Sequence, residues 1–222
     1  MTKETNAFGI AAVHLRRTFQ EEGCPLCRRV RESEERWIWQ VLYEMTGDPA
    51  THERFSRALG LCQGHAALLV QVVESRELVT PSSVARLYET VVHSLLQDLP
   101  RPSRGVCPLC ETAEEVTDRE SWFLGRLLLD PEFWGAFQRS DGLCLPHFLR
   151  VYALAPEKIR PSLLSDFQER LSSLLRHLRE LQRKERFDVE ERPTEEEARS
   201  WREALWRLAG MSFPATLIKC GY

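Results

Sequence analysis

The tetrapeptide Cys24-Pro25-Leu26-Cys27 constrains this chain more than any other stretch, because it returns unchanged as Cys107-Pro108-Leu109-Cys110. Each copy is followed by a second motif, Leu61-Cys62-Gln63-Gly64-His65 after the first and Leu143-Cys144-Leu145-Pro146-His147 after the second. Each half therefore carries three thiols and one imidazole, a complete tetrahedral donor set for zinc. A CPxC turn holds two sulfurs within about 4 Å of each other, the spacing that a metal with bonds of about 2.3 Å requires. In CxxH at a helix start, the two donors are i and i+3 and share one face. The expected ligands are Cys24, Cys27, Cys62 and His65 in one half, and Cys107, Cys110, Cys144 and His147 in the other. Two zinc ions per chain follow, with an iron–sulfur cluster as the alternative occupant of such sulfur-rich sets.

The halves match over longer stretches too. Asp48-Pro49 corresponds to Asp130-Pro131, Phe55 to Phe137, and Thr80-Pro81-Ser82 to Arg160-Pro161-Ser162. The period is about eighty residues, too long and in too few copies for a solenoid. Apolar residues recur at helical spacing throughout: Val84, Leu87, Val91 and Leu95 in one segment, Leu164, Phe167, Leu171 and Leu174 in another. No alternating β-branched run or Asn-Gly hairpin signal is present. The expected fold is all-α: two tandem helical repeats, each clamped by a Cys3His site, plus a C-terminal helix. The corresponding divisions are 1–100, 101–185 and 186–222. Thr194 and Glu197 form a capping box that starts the last helix. Its Trp201, Leu205 and Leu208 are expected to dock on the body. Trp37, Trp39, Trp122 and Trp134 are expected in the core. Cys220 and the apolar stretch 211–222 have no assigned place.

Which ligand pairs close on each other depends on helix lengths. A helix over 29–45 would run roughly 25 Å, and one over 50–59 would return only about 15 Å. Either the first helix bends, or the CPLC of one half meets the CxxH of the other. Closure within each half is the expectation.

The net charge is −3 over 222 residues, and two dications with six thiolates would leave it near −5. That balance argues against nucleic acid as a partner. Arg16-Arg17 and Arg28-Arg29 flank the first CPLC and are expected on a solvated face. No apolar run reaches membrane-spanning length, and the N-terminus lacks the pattern of a secretory signal. Six of the seven cysteines lie in the repeated motifs, a usage that fits metal ligation in a reducing cytoplasm better than a disulfide framework.

The tandem CPLC and LCxxH motifs, with an Asp-Pro between the members of each pair, resemble an uncharacterised family of prokaryotic proteins catalogued only as a domain of unknown function. Lys184-Glu185-Arg186-Phe187, Glu195-Glu196-Glu197 and Ser200-Trp201-Arg202 are similar to that family's C-terminal region. The resemblance spans nearly the whole chain. It implies a soluble protein of about this length and carries no established activity. The residues themselves show no nucleophile–base pair, phosphate-cradling glycine loop or paired-carboxylate site, from which an enzyme would be argued. The expected function is a non-enzymatic, zinc-stabilised interaction or scaffold module with a protein partner. A redox- or metal-responsive thiol protein is the alternative, and a nucleic-acid-binding protein the third reading.

Overall fold

A computed structural model describes residues 3–75 and 79–210. Cys220 and the stretch 211–222 lie outside the described residues. Among the described residues the chain is all-α, with ten helices and no strand. They are α1 (Lys3–Thr18), α2 (Pro25–Glu44), α3 (Pro49–Ala58), α4 (Gln63–Ser75), α5 (Pro81–Asp98), α6 (Pro108–Leu127), α7 (Pro131–Gln138), α8 (Leu145–Leu154), α9 (Arg160–Lys184) and α10 (Glu195–Ala209). The order α2 to α5 is followed again by α6 to α9, while α10 has no counterpart.

Local chemistry sets the boundaries. Proline stands at the first helical position after Asp48 and after Asp130, where its missing N–H costs nothing. The Asp48 carboxylate accepts from Thr51 N at 2.9 Å, and that of Asp130 from Phe133 N at 2.8 Å. Helix α3 ends at Leu59, left-handed at φ 52°, and Gly60 follows at φ 79°. Gly60 is needed for a second reason. A Cβ there would meet the Tyr88 ring at 2.8 Å.

The chain divides into two compact units, and the division does not follow the sequence repeat. One unit comprises Met1–Arg29 with Thr117–Tyr222, the other Val30–Val116. The boundaries fall inside α2 and α6. The larger unit is built around Leu15, Phe19, Leu124, Phe133, Phe137, Phe148 and Phe167. Phe19 meets Phe133 and Phe137 edge-on at 5.3 and 5.8 Å, and Phe148 stacks on Phe167 at 4.0 Å. The smaller unit is built around Ile38, Leu42, Phe55, Leu68, Leu87 and Leu109. Trp37, Trp39 and Trp134 pack against these cores. Trp122 lies at the surface instead, with the Arg126 guanidinium 3.7 Å from its ring centre.

Helix α10 packs on α8 and α9 with a face rotated from the one expected to the side next to it. Trp201, Leu205 and Leu208 are about half exposed, while Glu197, Ser200 and Arg207 are buried. The reason is that each buried polar group finds partners, which removes the penalty of burial. Lys184 Nζ donates to both Glu197 carboxylate oxygens, at 2.9 and 2.8 Å. Thr194 N donates to Glu197 Oε2 at 2.8 Å, completing the capping box. Lys184, with the Thr194 N–H, holds the Glu197 carboxyl below its usual range. Ser200 Oγ donates to the Glu197 carbonyl at 2.7 Å. Arg207 donates to the carbonyls of Asp141 and Leu143, at 3.0 and 3.3 Å, and to Glu203 at 2.6 Å. Trp206, not Trp201, is the aromatic residue of α10 that touches the core.

This rotation has a measurable consequence. Trp201→Ala should change unfolding free energy by no more than about 0.5 kcal/mol, as surface substitutions do. Arg207→Ala should cost about 1–3 kcal/mol, because it leaves buried acceptors unpaired. Denaturant titration of the two variants distinguishes this packing from one in which Trp201 is buried.

Candidate metal centres

Four short segments supply the sulfur and imidazole donors, and all four are helix starts. Cys24, Cys62, Cys107 and Cys144 each stand one residue before the first residue of α2, α4, α6 and α8. In each case the cysteine's carbonyl accepts the first bond of its helix: from Arg28 N at 3.3 Å, Ala66 N at 2.8 Å, Glu111 N at 3.2 Å and Phe148 N at 2.8 Å. Cys27, His65, Cys110 and His147 follow three residues later, on the same face. The N-terminal proline of CPLC makes the knuckle itself the first turn, so α2 begins at Pro25 and not near Arg29. Helix N-termini carry partial positive charge, which favours thiolates there.

The structure brings these pairs together in exchanged fashion. Cys24 and Cys27 meet Cys144 and His147, while Cys62 and His65 meet Cys107 and Cys110. Closure within each half, expected from the sequence, is not what the fold makes. Helix lengths supply the reason. With its start at Pro25, α2 has 20 residues and α3 only 10, roughly 30 Å against 15 Å. The return leg therefore brings His65 to Glu34, midway along α2, and not to Cys24 at its start. His65 Nε2 donates to Glu34 Oε1 at 3.1 Å.

Each group has the dimensions of a tetrahedral metal site. In the larger unit, His147 Nδ1 lies 3.5, 3.3 and 3.1 Å from the sulfurs of Cys24, Cys27 and Cys144, and the Cys27 and Cys144 sulfurs are 3.7 Å apart. In the smaller unit, His65 Nδ1 lies 3.3, 3.5 and 3.4 Å from Cys62, Cys107 and Cys110, and the Cys62 and Cys110 sulfurs are 3.7 Å apart. Bonds of about 2.3 Å to sulfur and 2.0 Å to nitrogen would put tetrahedral donors about 3.5–3.8 Å apart. All donor atoms of a group fall within 4.8 Å of one another. The six cysteines are free thiols with no disulfide among them. The residues present thus fit a metal ion in both groups.

The electrostatics of the clusters point the same way. Burial raises the Cys24 thiol, but hydrogen bonds from Cys144, Cys27 and His147 together with the imidazolium charge outweigh it, and its pKa falls well below the usual value. Cys27 is driven up by its hydrogen bonds to Cys144 and Cys24 and by burial. His147 loses basicity to burial and regains more from Cys144 and Cys24, ending at about 10. In the smaller unit burial opposes ionisation of Cys62 and Cys107, yet hydrogen bonds, including the backbone N–H groups of His65 and Cys110, bring both down. Burial and the neighbouring Cys62 push Cys110 up to about 12. Three thiols this close cannot all ionise without a cation among them. A divalent ion removes that conflict.

Other side chains hold the donor segments. Asp141 Oδ2 accepts from Gly23 N at 2.7 Å, which ties the turn before the first knuckle to the turn before Cys144. Arg104 donates to the Leu61 carbonyl at 2.9 Å. Arg54 bridges the Pro108 carbonyl and Glu111, at 3.0 and 2.8 Å. None of Glu34, Asp141, Arg104 or Arg207 was marked by the sequence, since each lies outside the motifs and resembles its charged neighbours. The arginines beside the first knuckle spend their charge on carboxylates: Arg16 on Glu132 at 3.0 Å, Arg28 on Glu21 at 2.9 Å, and Arg29 on Glu120 at 3.4 Å. Arg29 is buried, not on the solvated face expected of it. His52 is satisfied by Thr90 Oγ1 and the Thr46 carbonyl at 2.8 and 2.9 Å.

Among the described residues, no helix is long and apolar enough to cross a membrane. No family model, curated protein or solved structure matches the chain.

The exchanged pairing is tested by Cys144→Ser. In the metal-loaded variant, Cys24 and Cys27 should become open to alkylation while Cys107 and Cys110 stay protected, as read by peptide mass spectrometry. Closure within each half would give the reverse. Glu34→Gln should lower metal affinity at the smaller unit's cluster by about 10–100-fold, the usual cost of losing a carboxylate behind a ligating histidine. Competition titration against a chelator measures it.

Proposed function

We propose that both clusters bind zinc as closed structural sites, and that the protein acts as a non-enzymatic interaction or scaffold module. One observation carries this reading. Each cluster offers four protein donors at tetrahedral separations, which leaves no position for the water or substrate of a catalytic zinc. Binding energy on the order of 10 kcal/mol per structural zinc would then be folding energy. Support for a protein partner comes from the exposed row Trp201, Leu205 and Leu208 on α10, spaced as one face of a helix. A metal-responsive role is the second reading. It is favoured by the half-buried state of Cys62 and Cys110, where the other cluster's cysteines are all buried.

Elemental analysis with a visible absorption spectrum tests the metal. Two zinc per chain and no colour are expected. Iron with charge-transfer bands, or metal-free protein with reactive thiols, would overturn the reading. The interaction role is tested with Trp201→Glu combined with Leu205→Glu. The double variant should keep its helicity and both zinc ions, yet elute from a cleared lysate later than the wild type, at the monomer's volume. A wild type that already elutes there as a monomer counts against an interaction role.

A further inference from the structure

The two clusters use the same residue types and the same geometry, but they are not equally closed. Cys24 and Cys144 are wholly buried and Cys27 is 7% exposed. In the other cluster only Cys107 is buried, and Cys62 and Cys110 stand half-buried. The difference traces to α10. Its Arg207 holds the carbonyls of Asp141 and Leu143, just before Cys144. Its terminal Gly210, left-handed at φ 78° and ψ 25°, brings the backbone onto the cluster. The Gly210 carbonyl lies 2.9 Å from Cys27 Sγ, and a Cβ at Gly210 would stand 3.5 Å from Cys144 Sγ. The smaller unit has the matching arginine, Arg104 on the Leu61 carbonyl at 2.9 Å. That arginine comes from the turn before the second knuckle, and among the described residues no helix end follows it onto the sulfurs.

We infer that the Cys62, His65, Cys107 and Cys110 cluster is a metal-exchange site, giving its divalent ion to small thiol or chelating ligands and taking it back, while the other cluster keeps its ion under the end of α10. This inference rests on the zinc reading above and narrows it: both sites hold zinc with four protein donors, but the smaller unit's site holds its ion reversibly. Exchange is ligand substitution without change of oxidation state. An incoming thiol loses its proton and forms one metal–sulfur bond. Cys62 or Cys110 loses one such bond and takes up a proton. His65, pinned through Nε2 by Glu34, is the last donor to leave. The same attack on the other cluster first requires the end of α10 to undock, a local opening with its own free-energy cost.

The experiment uses full-length, zinc-loaded protein challenged with excess chelating dye and iodoacetamide, with alkylated peptides quantified over time. One equivalent of zinc should leave at least about tenfold faster than the other, the effect of a modest opening cost. Cys62 and Cys110 should be alkylated in the fast phase, and Cys24, Cys27 and Cys144 only in the slow one. A single phase, or early alkylation of Cys24 or Cys144, overturns the inference. Arg207→Ala should accelerate the slow phase and leave the fast phase unchanged, and an unaltered slow phase would show that α10 is not the seal. If the variant does not fold, the wild-type alkylation order still decides. Protein that holds no zinc before the challenge fails the structural-zinc reading instead, so the two failures are distinguishable.

Discussion

Two helix starts facing each other across four soft donors are the constraint on which each unit depends. In each cluster, one cysteine precedes a helix and a second donor sits three residues inside it, and the same arrangement arrives from a partner helix. Sulfur–sulfur separations of 3.7 Å are too short for several thiolates without a cation. The opposed shifts of Cys24 and Cys27 show the conflict. The donors are also part of the cores. Cys24, Cys27 and Cys144 belong to the same buried cluster as Phe19 and Phe137, and Cys107 to that of Phe55 and Leu87. Losing the ligand geometry would therefore loosen the packing around it, and small cores have little stability to spare.

The same logic explains α10. Its polar face is buried because Lys184, Thr194 and two carbonyls beside Cys144 satisfy it. Its apolar row is left to solvent. The docked side combines this satisfied polar network, which specifies one seating of the helix, with Trp206 against the core. This places Gly210 on the cluster and makes one unit's donors less accessible than the other's. Duplicated motifs need not mean equal burial: α10 covers one cluster, and two cysteines of the other stay half-buried.

Much of the architecture was legible in the chain. Helical periodicity, Asp-Pro and capping-box signals and the absence of strand patterns pointed to an all-α fold, because those cues act within a few residues. The donors were legible for the same reason: CPLC and CxxH are local, and their spacing suits one face of a helix start. Glu34, Arg104, Asp141 and Arg207 were not legible. Each acts on a group at least 31 residues away in the chain, and nothing in the neighbourhood of each marks it.

The sequence by itself thus determined the all-α character and the eight Cys and His residues that gather into two groups able to hold a metal, consequences of short-range geometry. Tertiary structure alone decided which donors share a cluster. The choice turned on a 20-residue helix facing a 10-residue return, with Pro25 starting the longer one at the knuckle itself. It also decided which face of α10 is buried, since satisfaction of Glu197 and Arg207 depends on residues distant in the chain that only the folded protein brings together.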